Sequence, residues 1–211
     1  IDGLSGVSRS EGSIRVVNND ALDHVDGLSR LTSIGTSGDG SGESLVIADN
    51  GSLRNIDGLT GLSETQGGIR IVNNGALGNL AGLSRVTWIG ASGGGSGESL
   101  VIADNGALRD LDGLSALRGL GGGLRLVNND ALDHLDGLSG LTSVGSNSEP
   151  ASESVVIADN GSLRDINGLS GLTSLGGGLR IANNDALDNL DGLAGLRSAG
   201  SSANQTGESL A

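Results

Sequence analysis

Apolar residues recur along this chain at two spacings. An alternating start, Ile14-x-Val16, is followed three residues on by Asn19, and then by apolar residues at every third position: Leu22, Val25, Leu28, Leu31 and Ile34. The alternation predicts a short strand with one buried face. The three-residue run does not suit an α-helix, whose apolar face alternates steps of three and four. Glycine also falls in the middle of each such run, at positions 3, 27, 58, 82, 113, 137, 168 and 192. Short extended segments joined by bends are predicted instead, each bend turning the next apolar residue inwards. Glycine in the bends supplies a positive φ or a close approach of backbone.

The pattern repeats. Its Asn recurs as Asn19, Asn50, Asn74, Asn105, Asn129, Asn160 and Asn184, at intervals of 31, 24, 31, 24, 31 and 24. One 24-residue skeleton therefore underlies every unit, and alternate units carry seven more residues: 36–42 (TSGDGSG), 91–97 (ASGGGSG), 146–152 (SNSEPAS) and 201–207 (SSANQTG). About 24 mostly extended residues make one turn of a stack whose rungs rise ~4.8 Å, the strand spacing of a sheet. The predicted fold is all-β, a parallel β-solenoid of about eight rungs. It spans residues 1–211 as one domain, with 24- and 31-residue coils alternating in a 55-residue supra-repeat. Its columns are regular: Leu22, Leu53, Leu77, Leu108, Leu132, Leu163 and Leu187 form one, and Leu4, Leu28, Leu59, Leu83, Leu114, Leu138, Leu169 and Leu193 another. The Asn column is the inward polar one. A side-chain amide both donates and accepts, so stacked copies can bond to one another and to the turn backbone.

The motif L-x-I-x-x-N-x-x-L-x-x-L-x-G-L-x-x-L-x-x-I, as in residues 69–89, resembles the leucine-rich repeats of receptor L domains. The resemblance covers essentially the whole chain. It implies a right-handed β-helical solenoid and a place among cell-surface receptors and extracellular repeat proteins.

Composition narrows the choices. With 40 Gly and Trp88 as the single aromatic residue, the core must be narrow, since no large side chain exists to fill a wide one. There is no cysteine, hence no disulfide or thiolate metal site. A net charge of −13 without any basic cluster argues against nucleic acid or anionic membrane as partner, and no apolar run approaches a membrane span. The chain starts at Ile1 rather than Met, in register with Val25 and Ile56, and Leu210 stands where Leu45 and Leu100 stand. This suggests a segment of a longer array, or units stacked end to end without caps.

Several columns carry candidate chemistry. Asp2, Asp26, Asp57, Asp112, Asp136 and Asp191 each precede a glycine; the expectation is an Asx-turn in which each carboxylate bonds its own backbone two residues on, with calcium bridging as the alternative. Asp23, Arg54, Gly78, Arg109, Asp133, Arg164 and Asp188 suggest opposite charges facing each other between rungs. His24 and His134 are too far apart in the repeat to share a metal and read as solvated surface residues. The glycine-rich inserts lack the Lys and following helix of a phosphate loop. No Ser/His/Asp set and no isolated carboxylate cluster is found, so no enzyme activity, catalytic residue, cofactor or metal is assigned. Among the Asn-x-Ser/Thr sequons, Asn50 and Asn160 belong to the ladder, leaving Asn204 as the possible glycosylation site.

Ser5, Ser29, Thr60, Ser84, Ser115, Ser139 and Ser170 run beside a second column of Ser8, Thr32, Ser63, Thr87, Thr142 and Thr173, interrupted by Arg118 and Arg197. Such hydroxyl arrays resemble ice-binding faces. Outward on the strands lie Arg15, Val46, Arg70, Val101, Arg125, Val156 and Arg180, beside Val17, Ala48, Val72, Ala103, Val127, Ala158 and Ala182. An apolar stripe there predicts a lateral partner or a covering loop. The reading is a structural rod or filament of an extracellular or cell-surface assembly, adhesin or fibre, self-associating end to end and laterally. Its alternatives are a receptor-L-like module binding carbohydrate (surface glycans) or protein and, third, an ice-binding solenoid.

Overall fold

The computed structural model describes residues 2–93, 97–146 and 153–200. Strands are numbered along the chain. One sheet contains β2 (Ile14–Val17), β4 (Glu43–Ala48), β6 (Gly68–Val72), β8 (Glu98–Ala103), β10 (Gly123–Val127), β12 (Glu153–Ala158) and β14 (Gly178–Ala182). The other contains eight two-residue strands: β1 (Arg9–Ser10), β3 (Ser33–Ile34), β5 (Glu64–Thr65), β7 (Trp88–Ile89), β9 (Gly119–Leu120), β11 (Ser143–Val144), β13 (Ser174–Leu175) and β15 (Ser198–Ala199). Each sheet runs in unbroken numerical order, the chain alternates between the two, and the ladders are parallel. This is a parallel β-solenoid. No α-helix occurs among the described residues, and none of their helices is long and apolar enough to cross a membrane.

The three-residue apolar spacing has a direct backbone cause. After Asn50, Leu53 N–H donates to Asn50 O, Leu59 to Ile56 O and Leu62 to Leu59 O, each three residues back. The segment is thus a chain of tight turns with a single 3₁₀ turn at Asp57–Leu59, and three residues per turn returns each leucine to the inner side. In this turn the glycine is needed for space, not for a left-handed backbone. A Cβ on Gly58 would lie 2.0 Å from Val25 O of the preceding rung, and one on Gly113 1.9 Å from Leu80 O. Rungs touch there backbone to backbone.

The core is one continuous cluster from Val25 to Leu175, made of Leu, Ile and Val columns that are almost wholly buried. Every member packs on its own column above and below, so stability is shared between neighbouring rungs. The two coil lengths differ at one corner. In short coils two residues, such as Gln66 and Gly67, join the sheets. In long coils the insert intervenes, and the following strand carries an extra residue: Glu43 pairs with Gly68 but Leu45 with Ile69, leaving Ser44 as a bulge. Ser44 is buried, and its Oγ accepts from Gly67 N–H at 2.8 Å. Ser99 does the same from Gly122 N–H at 2.6 Å. At Ser44 and Ser99 the bulge therefore fastens a long coil to the tight corner of the next short one, whereas the equivalent Ser154 Oγ is buried without a hydrogen bond among the described residues.

Candidate functional site

The Asn column builds the most ordered polar feature of the molecule. Asn50 Nδ2 donates to Ala48 O on its own strand and Val16 O on the preceding one, both at 2.9 Å, and lies 3.1 Å from Asn74 Oδ1. Asn50 N–H also donates to Asn74 Oδ1 at 3.3 Å, and its own Oδ1 accepts from Asn19 N–H at 3.1 Å. The same set recurs at Asn74, Asn105, Asn129 and Asn160. From Asn50 to Asn160 each of these residues is fully buried. The ladder has a direction: every rung offers an N–H towards the following rung and an Oδ1 towards the preceding one.

The residue before each ladder Asn turns the corner with positive φ. Asn18, Asp49, Asn73, Asp104, Asn128, Asp159 and Asn183 lie between 54° and 60°. Among L-residues Asn and Asp tolerate this region best, which explains the recurring Asn-Asn and Asp-Asn pairs. Their side chains link rungs in twos: Asn73 Nδ2 donates to Asp49 Oδ1 at 2.7 Å, Asn128 to Asp104 at 2.7 Å, and Asn183 to Asp159 at 2.9 Å. The doublet was visible in the sequence as a repeated letter pair, but its backbone role was missed.

On the turns, the Asx arrangement differs from expectation by two positions. The acceptors are Asn55, Asn79, Asp110, Asp165 and Asn189, whose Oδ1 receives the N–H of Asp57, Ala81, Asp112, Asn167 and Asp191. Asp57, Asp112 and Asp191 thus donate through their backbone rather than closing a turn with their own carboxylates. Among the described residues no group of three or more His, Asp and Glu side chains is placed to hold a metal ion. The adjoining Asp23/Arg54 column also departs from expectation. No ion pair joins its members; backbone bonds do, as in Arg54 N–H to Asp23 O and Arg164 N–H to Asp133 O. Exposed long side chains gain little by pairing there. His24 and His134 occupy the Asx-acceptor position. His24 Nδ1 lies 3.2 Å from Asp26 Oδ2, and its Nε2 3.5 Å from Asp23 Oδ1. Nδ1 makes no hydrogen bond in either histidine, so the first of these contacts is a proximity without hydrogen-bond geometry.

The outer face of the seven-stranded sheet is not an open apolar stripe. Val46, Val101 and Val156 are only 2–5% exposed although they stand outside the central cluster. Each sits in register between two arginines, Val46 between Arg15 and Arg70 and Val101 between Arg70 and Arg125. An arginine can lay its methylene stem along apolar surface while its guanidinium stays in water, which accounts for the burial of the valines between them. Arg15 pairs with Glu43 at 2.7 Å and Arg125 approaches Glu98 at 3.7 Å.

The eight-stranded sheet is more varied. Its outward column reads Arg9, Ser33, Glu64, Trp88, Gly119, Ser143, Ser174 and Ser198. Trp88 is 47% exposed and lies over Gly119, where a Cβ would come within 2.5 Å of its ring. The hydroxyls beside this sheet donate to the preceding rung: Thr32 to Ser8 O, Ser63 to Thr32 O, Thr142 to Arg118 O and Thr173 to Thr142 O, at 2.9–3.2 Å. Their donors are therefore spent on backbone.

Of the inserts, 36–42 folds onto its neighbours: Gly68 N–H donates to Gly42 O, and Gly42 meets the backbone of Gly93 in the next insert. Hydrogen bonds from the Ser37 hydroxyl and from Ser41 lower the Asp39 pKa to about 2. Residues 94–96 and 147–152 of the later inserts, insert 201–207 with Asn204, and Ile1 and Leu210 lie outside the described residues. A shallow cleft lined by Ile181, Ala182, Asn183, Asn184 and Leu187 marks the C-terminal end of the described ladder.

Comparison of the chain with known protein families, curated proteins and solved structures found no match in any of the three.

Proposed function

We propose that this chain is a structural repeat rod of an extracellular or cell-surface assembly, of adhesin or fibre type, whose units join end to end. The observation that carries this is the direction of the Asn ladder. One end of any stack presents the Oδ1 of its first Asn, as at Asn19, and the other an Asn N–H, as at Asn184, so two stacks continue each other without new chemistry. Such a head-to-tail contact is heterologous and does not close, which yields a fibre. Negative-stain imaging and fibre diffraction test it. Rods many times longer than eight rungs, with a meridional repeat near ~9.6 Å from two strand spacings, are expected. Particles of single-unit length at every concentration overturn it.

The second reading, a receptor-L-like module for carbohydrate or protein, is favoured by Trp88, the one large apolar residue exposed away from the ends of the described solenoid. Because Trp88 is the chain's only aromatic residue, its fluorescence reports directly on a titrated oligosaccharide. An unchanged spectrum across a glycan panel removes the carbohydrate arm of this reading.

A further inference from the structure

The outer face of the seven-stranded sheet alternates in both charge and size with a two-rung period. Short-coil strands present Gly, Arg and Val, as in Gly68, Arg70 and Val72. Long-coil strands present Glu, Val and Ala, as in Glu98, Val101 and Ala103. The αL corners extend the pattern, with Asp104 on the long coil and Asn73 on the short one. In register within the chain, Glu98 stands beside Gly123, Val101 beside Arg125 and Ala103 beside Val127.

We propose that this face binds a second copy of the same chain, antiparallel, about a two-fold axis that runs along the strands midway between a long and a short coil. Rotation about that axis leaves position along a strand unchanged and reverses the order of rungs. Every long coil of one copy then faces a short coil of the other. With the axis between β8 and β10, Glu98 faces Gly123 of the second copy, Val101 faces Arg125, and Ala103 faces Val127. Each facing pair repeats a pair already stacked within one chain, so large meets small and acidic bands meet basic ones. An axis through a rung sets Arg on Arg and Glu on Glu; a parallel pair at equal height reverses position along the strand and, centred on the Arg/Val column, still sets Arg on Arg, and like charges directly opposite are repulsive.

Arg70 supplies a free partner for this contact. Glu43 is held by Arg15 and Glu98 lies nearest Arg125, while Arg70 makes no ion pair among the described residues. Six overlapping strands of about five residues cover about 450 Å² per copy at the spacings of a sheet. This falls short of a standard stable interface, so the pair is weak at this length and strengthens with every added rung. In that respect the inference rests on the rod reading, since end-to-end rods would associate laterally along their whole length.

The absence of cysteine in the chain permits a clean test. Single variants Ala48→Cys, Val127→Cys and Ala182→Cys are treated with a short bis-maleimide crosslinker at several hundred micromolar protein, alone and in pairs. The axis between β8 and β10 sets Ala48 opposite Ala182 of the second copy, and its equivalent between β6 and β8 sets Ala48 opposite Val127, so dimers are expected when Ala48→Cys is mixed with Ala182→Cys or Val127→Cys. Ala48→Cys alone lies about three to five rungs from its own copy, roughly 14–24 Å along the stack, and its yield should be several-fold lower. High salt, or Arg70→Glu in both partners, should reduce the mixed yield. Ala48→Cys crosslinking to itself as readily as to the others overturns the proposal, as does an absence of dimers in every mixture. Long rods without lateral crosslinks remove the face and leave the rod; crosslinks among single-length particles do the reverse.

Discussion

The two sheets are covered by the same chain at the same rung spacing, yet they tolerate variation differently. On the seven-stranded side the strands run four to six residues, the Asn ladder closes their ends, and the outward Arg/Val column repeats without a break from Arg15 to Arg180. On the eight-stranded side the strands have two residues, and their outward column admits Arg, Glu, Trp, Gly and Ser. The difference follows from what each residue must satisfy. Around the ladder a side chain has to complete hydrogen bonds of two neighbouring rungs or cover a neighbouring valine. Outside the two-residue strands it faces mostly water, and the inter-rung bonds are made by backbone and by the flanking hydroxyls.

This contrast can be broken most forcefully at the ladder. Asn105→Ala leaves Asn74 N–H without its acceptor in the interior and removes one donor each from Ile71 O and Ala103 O, the latter keeping Asn73 N–H. It should cost about 2–3 kcal/mol, the upper part of the range for a buried group left unsatisfied. Chemical denaturation measures it, and an unchanged midpoint would mean that the ladder contributes nothing. Next comes the turn: Gly113→Ala forces a Cβ onto Leu80 O, and a cost of about 2 kcal/mol is expected for such overpacking. Gly106→Ala, with open space around it, is the control.

A smaller effect is expected at the αL corner. Asp104→Val places a β-branched residue at φ 58°, for about 1–2 kcal/mol, whereas Asp104→Asn should preserve the midpoint within experimental scatter. Equal losses from both would show that the carboxylate bonded to Asn128 matters more than the backbone. Smallest is the opposite sheet, where Trp88→Ser should shift stability by no more than about 0.5 kcal/mol, as usual for a surface site. A large loss there would erase the distinction between the two faces.

The sequence by itself determined the coil lengths, the insert positions, the leucine columns and the Asn column. Each is a periodic signal along one dimension, and a stack of nearly identical rungs converts period directly into position. Tertiary structure decided what happens between columns one or two residues apart. Period cannot separate Asp57 from Asn55, yet only Asn55 Oδ1 reaches the backbone N–H that closes the turn. It cannot tell a glycine needed for φ from one needed for room, and here the positive φ falls to Asp104 while Gly113 yields space to Leu80 O. Nor does a column that mixes Asp and Arg disclose whether the charges meet, because that depends on where long exposed side chains lie across a ~4.8 Å step. The coverage of Val101 by its arginine neighbours was hidden for the same reason. Side-chain direction relative to the rungs above and below exists only once the stack has formed.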